Sequence, residues 1–328
     1  MIIESELESL NYDDILLLPK HSEDINSRDD VNLYASGKGY MNIFSSPMKN
    51  ISEVPFIIEL DNSDSIGILH RFFLDNRDRY EGIDKLSLHC NHYGIAIGLH
   101  DWEDELEIVK YATNRNCKFV VIDTASAYLK ITLDAVKNLY NYRQKYNLDF
   151  SIIAGNVIDA IGCNELAKNG ADIIRVNIGS GLQCLTARSI GCGCPTLTAI
   201  QDCAKIKNKY PNVILLADGG IYNPGQALKA LAFGADGLMV GSLFGRAKEC
   251  ENNGLIYGMS SFELADRMNK TKKSKEGTFT IIPKEEIRPL KEIFDEFTYG
   301  IKSGLSYIGC NDINKIHDID IEYIKVKP

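Results

Sequence analysis

Short runs of β-branched and aliphatic residues recur eight times along this chain, starting roughly 22 to 40 residues apart. No other feature of the sequence limits the fold as much. The runs are NIFSSP (42–47), GILH (67–70), IAIGL (95–99), FVVID (119–123), SIIAG (151–155), IIRVN (173–177), VILLAD (213–218) and GLMVG (237–241). They are nearly continuous in apolar character, the pattern of strands buried on both faces of a parallel sheet. Parallel neighbours need a long crossover, normally a helix, and the intervening segments supply it. Residues 101–105 load acids into a first helical turn, ahead of Ile108, Val109 and Tyr111 on one face. Residues 128–146 repeat Leu129, Leu133, Val136 and Leu139 at helical steps. Asn223-Pro224 opens a helix that buries Leu228 and Leu231 and ends at Gly234. Eight strands alternating with helices close most simply into an α/β fold, the (β/α)8 TIM barrel, as a single domain over residues 1–328. An open doubly wound sheet is the alternative, but no GxGxxG follows the first strand.

Charge and cysteine usage exclude several classes. A net charge of −9 argues against a nucleic-acid binder or an anionic-membrane binder, while leaving room for a small anion in a local pocket. The longest apolar runs fall far short of the ~20 residues of a membrane span. Three acids in the first ten residues are unlike a secretory leader. The nine cysteines, an odd number, suit a reducing cytoplasmic setting better than a disulfide framework. Cys192-x-Cys194 lacks the second ligand pair of a zinc site and reads as packing.

In such a barrel the chemistry gathers in the loops that follow the strands. Two are longer than a turn requires: residues 178–194 after strand six, and residues 242–328 after strand eight. The latter includes a polar, basic stretch within a flap at about 262–283, read equally well as a solvated loop. The first leaves its strand through Gly179 and Gly181, then places Cys184, Thr186 and Arg188 within five residues. Glycines let backbone groups converge on an anion, and a loop thiol near a cation becomes nucleophilic. Packing cysteine and turn hydroxyl are the competing readings.

The blocks LNYDDILLLP (10–19), SSPM (45–48), DTASAY (123–128), AGNV (154–157), GxGxxCxT (179–186), GCGCPTLTA (191–199), ADGG (217–220), YGMSS (257–261), KEG (275–277) and SxxxYxG (303–309) occur in one order. In that order they resemble the IMP dehydrogenase/GMP reductase family over nearly the whole chain. Within it the chain is more similar to the reductases. Strands two and three start only 28 residues apart, leaving no room for the regulatory CBS pair that dehydrogenases carry there. The Arg-Tyr pair of the dehydrogenase flap has no counterpart between Gly258 and Pro283, and Tyr257 precedes Gly-Met where dehydrogenases have arginine.

The resemblance implies NADPH-dependent reductive deamination of GMP to IMP and ammonia, in a cytoplasmic homotetramer. By it, Cys184 is the nucleophile, and Thr186 with Glu276 forms the proton-transfer pair. Asp218 grips the ribose, Gly220, Gly241 and Ser242 lie near the phosphate, Met259 and Ser260 meet the guanine edge, and Ser180, Gly181, Gly219 and Gly258 complete the substrate-binding set. Ser27, Arg28, Arg71, Asp123, Thr124, Ala125, Gly179, Ser303 and Tyr307 fall to the dinucleotide. The carbonyls of Gly179, Gly181 and Cys184 resemble a monovalent-cation loop suited to K⁺. Three positions depart from the family: Leu182 replaces a phosphate-binding serine, Ala187 an arginine and Lys49 an aspartate. Losing one charge-assisted phosphate bond costs about 1.5–3 kcal/mol. A deoxy or modified purine nucleotide is thus an alternative substrate. A dehydrogenase without CBS modules and a non-catalytic nucleotide binder are the alternative functions.

Overall fold

The computed structural model describes residues 7–179, 189–250, 252–268 and 277–326. All eight expected strands form: β1 (Ile43–Ser45), β2 (Gly67–Leu69), β3 (Tyr93–Ile97), β4 (Phe119–Ile122), β5 (Ser151–Val157), β6 (Ile173–Val176), β7 (Ile214–Asp218) and β8 (Gly237–Val240). From β2 onward each pairs in parallel with the next, and β8 returns to pair with β1. The last seam, between β1 and β2, is closed by the Phe44–Ile66 bridge. Ser45 N donates to Ile66 O and Ile66 N to Ile43 O, and Ser45 Oγ accepts from Ile68 N at 2.9 Å. The result is a (β/α)8 barrel.

The two-residue period of each strand explains its continuous apolar run. Phe44, Ile68, Ala96, Val121, Ile153, Ile173, Leu216 and Met239 point inward and fill the barrel. Their neighbours, such as Val120, Ile122, Ile152 and Ile174, point outward against the helices. Those helices are α1 (Val54–Asp61), α2 (Asn76–His89), α3 (Trp102–Thr113), α4 (Lys130–Tyr146), α5 (Ala160–Lys168), α6 (Thr196–Ala204), α7 (Pro224–Ala232), α8 (Phe262–Arg267) and α9 (Leu290–Tyr307). The β2–β3 connection contains α2 alone. α4 differs from expectation in one respect. Leu129 is its extended cap residue, so its side chain is exposed while Val136 and Leu139 are buried. α7 begins as expected, with Asn223 Oδ1 accepting from Gln226 N at 3.0 Å.

Two accessory ribbons flank the barrel. Ile15–Leu17 pairs antiparallel with Tyr323–Lys325, and Leu255–Tyr257 with Phe279–Ile281. The second ribbon brackets the expected flap, of which residues 269–276 lie outside the described part. Cys90, Cys117, Cys163, Cys203, Cys250 and Cys310 are buried free thiols, and burial pushes Cys90 and Cys117 up to about 12. Among the described residues no helix is long and apolar enough to cross a membrane.

Candidate active site

The strand period that packs the barrel also builds its mouth. One layer above Val121, Ile173 and Leu216, the same inward direction carries Asp123, Arg175 and Asp218. Here three charged side chains converge. Arg175 Nε donates to Asp218 Oδ2 at 2.9 Å, Nη2 lies 2.8 Å from the same oxygen, and Nη1 reaches Asp123 Oδ1 at 3.4 Å. Arg71, after β2, donates to Asp123 Oδ2 at 3.0 Å and stacks on Phe72 at 4.6 Å. The four strand ends thus carry alternating charges with no net excess. Burial alone would lower the Arg175 pKa, but Asp218 and Asp123 outweigh it and raise it, so the guanidinium stays charged. The close approach of β5 to β6 depends on Gly155, where a Cβ would stand 2.5 Å from Arg175 O.

Asn156 extends the network. Its Nδ2 donates both to Asp218 Oδ2 and to Asn177 O, each at 2.8 Å. Asp218 is followed by Gly219 and Gly220 at φ +87 and +74, a left-handed pair that non-glycine residues rarely adopt and that exposes backbone amides. Across the mouth, a Cβ on Gly241 would lie 3.1 Å from Ser46 Oγ, so this glycine keeps the floor open.

These groups line a single cavity of about 270 Å³. It gathers most residues expected from the sequence. Gly179, Asp218, Gly219 and Gly220 stand on one wall, and Gly241 and Ser242 follow β8. Gly258, Met259 and Ser260 come from the second ribbon, and Arg71, Asp123, Thr124 and Ala125 from β2 and β4. Arg71, Phe72, Asp123 and Thr124 all line this cavity.

Ser27, Arg28, Ser303 and Tyr307 do not line this cavity. The Arg28–Asp30 turn packs on α9 instead, with Arg28 5.5 Å over the Tyr299 ring and Tyr307 exposed. Ser180, Gly181, Cys184, Thr186 and Glu276 lie outside the described residues, as do Leu182 and Ala187. Their chain neighbours Gly179 and Gly277 both line the cavity. Lys49 donates its backbone N–H to Met259 Sδ at 3.4 Å, with its ammonium 5.6 Å from the Phe73 ring.

Sequence reading missed Arg175, Asn156 and Asn177, all cavity-lining. The signal for Arg175 was present, because a cation inside an apolar strand demands a carboxylate partner. A second pair joins buried His70 to half-buried Glu53. His70 is fully buried; Phe72 N donates to its Nδ1 at 3.1 Å, so Nε2 carries the proton toward Glu53 Oε1 at 3.0 Å. Burial holds the His70 pKa below its usual value against the pull of Glu53. Burial would raise Glu53, but His70 and Lys49 bring it below the usual range.

A family model described as the IMP dehydrogenase / GMP reductase domain matches residues 9–327. An inosine-5'-monophosphate dehydrogenase of Nitrosopumilus maritimus is 32% identical over 71% of the chain, which spans 51% of that relative's length, about half. A GMP reductase of Onchocerca volvulus is 27% identical over 96% of the chain and 90% of its own length. An inosine-5'-monophosphate dehydrogenase of Borreliella burgdorferi is 25% identical, with 97% and 94% covered. Both names thus occur at nearly the span of this chain, so length does not separate the two activities.

Proposed function

The chain belongs to the IMP dehydrogenase/GMP reductase family, and from that premise we propose that it reduces GMP to IMP and ammonia with NADPH. One observation carries the reading: Gly179, five residues before Cys184, and Gly277, next to Glu276, line the same cavity as Asp218. That convergence supports a thiol and a carboxyl meeting one ligand held by its ribose.

In this mechanism the Cys184 sulfur bonds to purine carbon 2. The Glu276–Thr186 pair protonates the amino nitrogen, which leaves as ammonia, because an unprotonated amine departs poorly. A thioimidate joins substrate to enzyme. NADPH, when bound, supplies the hydride that reduces carbon 2, after which the carbon–sulfur bond breaks and the thiolate is returned. Asp218 accepts from the ribose hydroxyls through Oδ1, which takes no bond among the described residues while Oδ2 is held by Arg175 and Asn156. The amides after Gly219 and Gly241 face the phosphate. Arg71, Phe72 and Thr124 orient the nicotinamide, and a homotetramer belongs to the same proposal.

Tyr257 favours reductase over dehydrogenase. It is buried against Phe72 and Leu264 at the position where dehydrogenases have arginine before Gly-Met. The test is mass spectrometry of products from GMP, deoxy-GMP, guanosine and IMP, each with NADPH or NAD⁺. IMP and ammonia from GMP with NADPH are expected. XMP from IMP with NAD⁺ and no turnover of GMP would overturn the assignment.

A further inference from the structure

The segment carrying Cys184 leaves β6 at Asn177 and ends at α6, and its two ends are tied together. Asn177 Nδ2 donates to Thr196 Oγ1 at 3.0 Å, with both residues buried (1% and 2% exposed). Asn177 has a φ of +106, unusual for a side-chain-bearing residue. It is held there by its N–H to Val157 O at 2.7 Å and its carbonyl to Asn156 Nδ2.

Thr196 is the first residue of α6, whose cap position is Pro195 with no side-chain bond. The N-terminal arm supplies the cap from far along the chain. Thr196 N donates to Asn11 Oδ1 at 3.0 Å, and Leu197 N and Thr198 N both donate to Leu10 O. Leu10 N donates in return to Thr198 Oγ1 at 2.8 Å. Three orphan amides of the helix start are thereby satisfied by one strap.

Taken in order, Asp218, Asn156, Asn177, Thr196 and Asn11 form one hydrogen-bonded line from the cavity wall to the strap. We propose that Thr196 is a positioning residue for Cys184: its hydroxyl ties Asn177 to the start of α6, and its amide ties both to Asn11, so the two described ends that flank the cysteine-bearing segment are held to one hydrogen-bonded line. Thr196 does not line the cavity, so it acts through the segment it anchors. The proposal rests on Cys184 being the nucleophile of the preceding section.

Valine matches threonine in shape but lacks the hydroxyl, so Thr196→Val removes the acceptor for Asn177, whereas Thr196→Ser keeps it. Turnover with GMP and NADPH is measured for both. Iodoacetamide alkylation of Cys184 is followed by peptide mass spectrometry. Thr196→Val is expected to lower kcat by roughly 10- to 100-fold, the scale of an ångström-sized misplacement, with the KM for GMP within about threefold. Its Cys184 alkylation rate should shift by at least about threefold, while Thr196→Ser restores both within about twofold. Asn11→Ala, on the exposed strap, should shift the alkylation rate in the same direction, and Asn11→Asp should restore it. A valine variant with wild-type kcat and alkylation, or a serine variant as impaired as the valine one, overturns the proposal. If the wild-type protein turns over no GMP, the functional reading fails, and the alkylation rates alone decide the positioning role.

Discussion

Arg175→Met is the perturbation whose cost follows most directly from the geometry. The side chain is 9% exposed and sits between Asp218 and Asp123, exposed by 11% and 15%. Methionine fills much of the volume but leaves two half-sequestered carboxylates without their shared cation. Asp218 keeps only Asn156, and Asp123 keeps Arg71. Breaking a buried pair by removing one partner costs about 3–5 kcal/mol, chiefly as uncompensated charge. A chain of this size loses roughly 2 °C of Tm per kcal/mol, so the midpoint should fall by about 6–10 °C. Arg175→Lys should recover part of this, because one ammonium can meet one carboxylate but not both. The assay is urea unfolding of wild type and both variants at about pH 7.5. A methionine variant within about 1 kcal/mol of wild type, or a lysine variant no more stable than the methionine one, would refute the picture of a shared cation.

Three further outcomes follow. Cys184→Ala should abolish turnover while GMP affinity by calorimetry stays within about tenfold, since the thiol acts through a covalent bond; steady-state turnover by this variant would remove the nucleophile assignment. Glu276→Gln should slow ammonia release by roughly 10²- to 10⁴-fold with little change in affinity, read by coupled ammonia detection, and a loss under threefold would make it a surface carboxylate. The pKa of His70 is lowered on folding, so the unfolded chain binds its proton first; this stability is present above about pH 6.5 and is lost as pH falls through that value. Denaturant titrations should show wild type losing up to about 1.4 kcal/mol per pH unit more than His70→Gln in that window, and parallel curves would show that His70 is not the group responsible.

The barrel was legible because its signal is local. A strand buried on both faces must be apolar at every position, and its crossover must be long enough for a helix, so eight runs and their spacing already specify a parallel sheet covered by helices. Glycine pairs at strand ends, such as Gly219-Gly220, were legible for the same reason: backbone freedom is written in residue type. Leu129 shows the limit, since periodicity extended the helix past the residue where capping geometry begins it.

What lay beyond the sequence was pairing at a distance. Nothing local says that Arg175 would bridge Asp123 and Asp218, because each stands on a different strand and only barrel closure turns them to one axis. The cap on α6 is likewise invisible in its own residues, since it comes from Asn11 and Leu10. Nor did residue order distinguish Asp123 and Arg71, which meet at the mouth, from Ser303 and Tyr307, which stand on α9 and do not line the cavity. Sequence determined which residues could do chemistry and which must be buried. Tertiary structure decided which of them meet, because hydrogen bonds and ion pairs act over about 3 Å while partners such as Asn11 and Thr196 stand 185 residues apart.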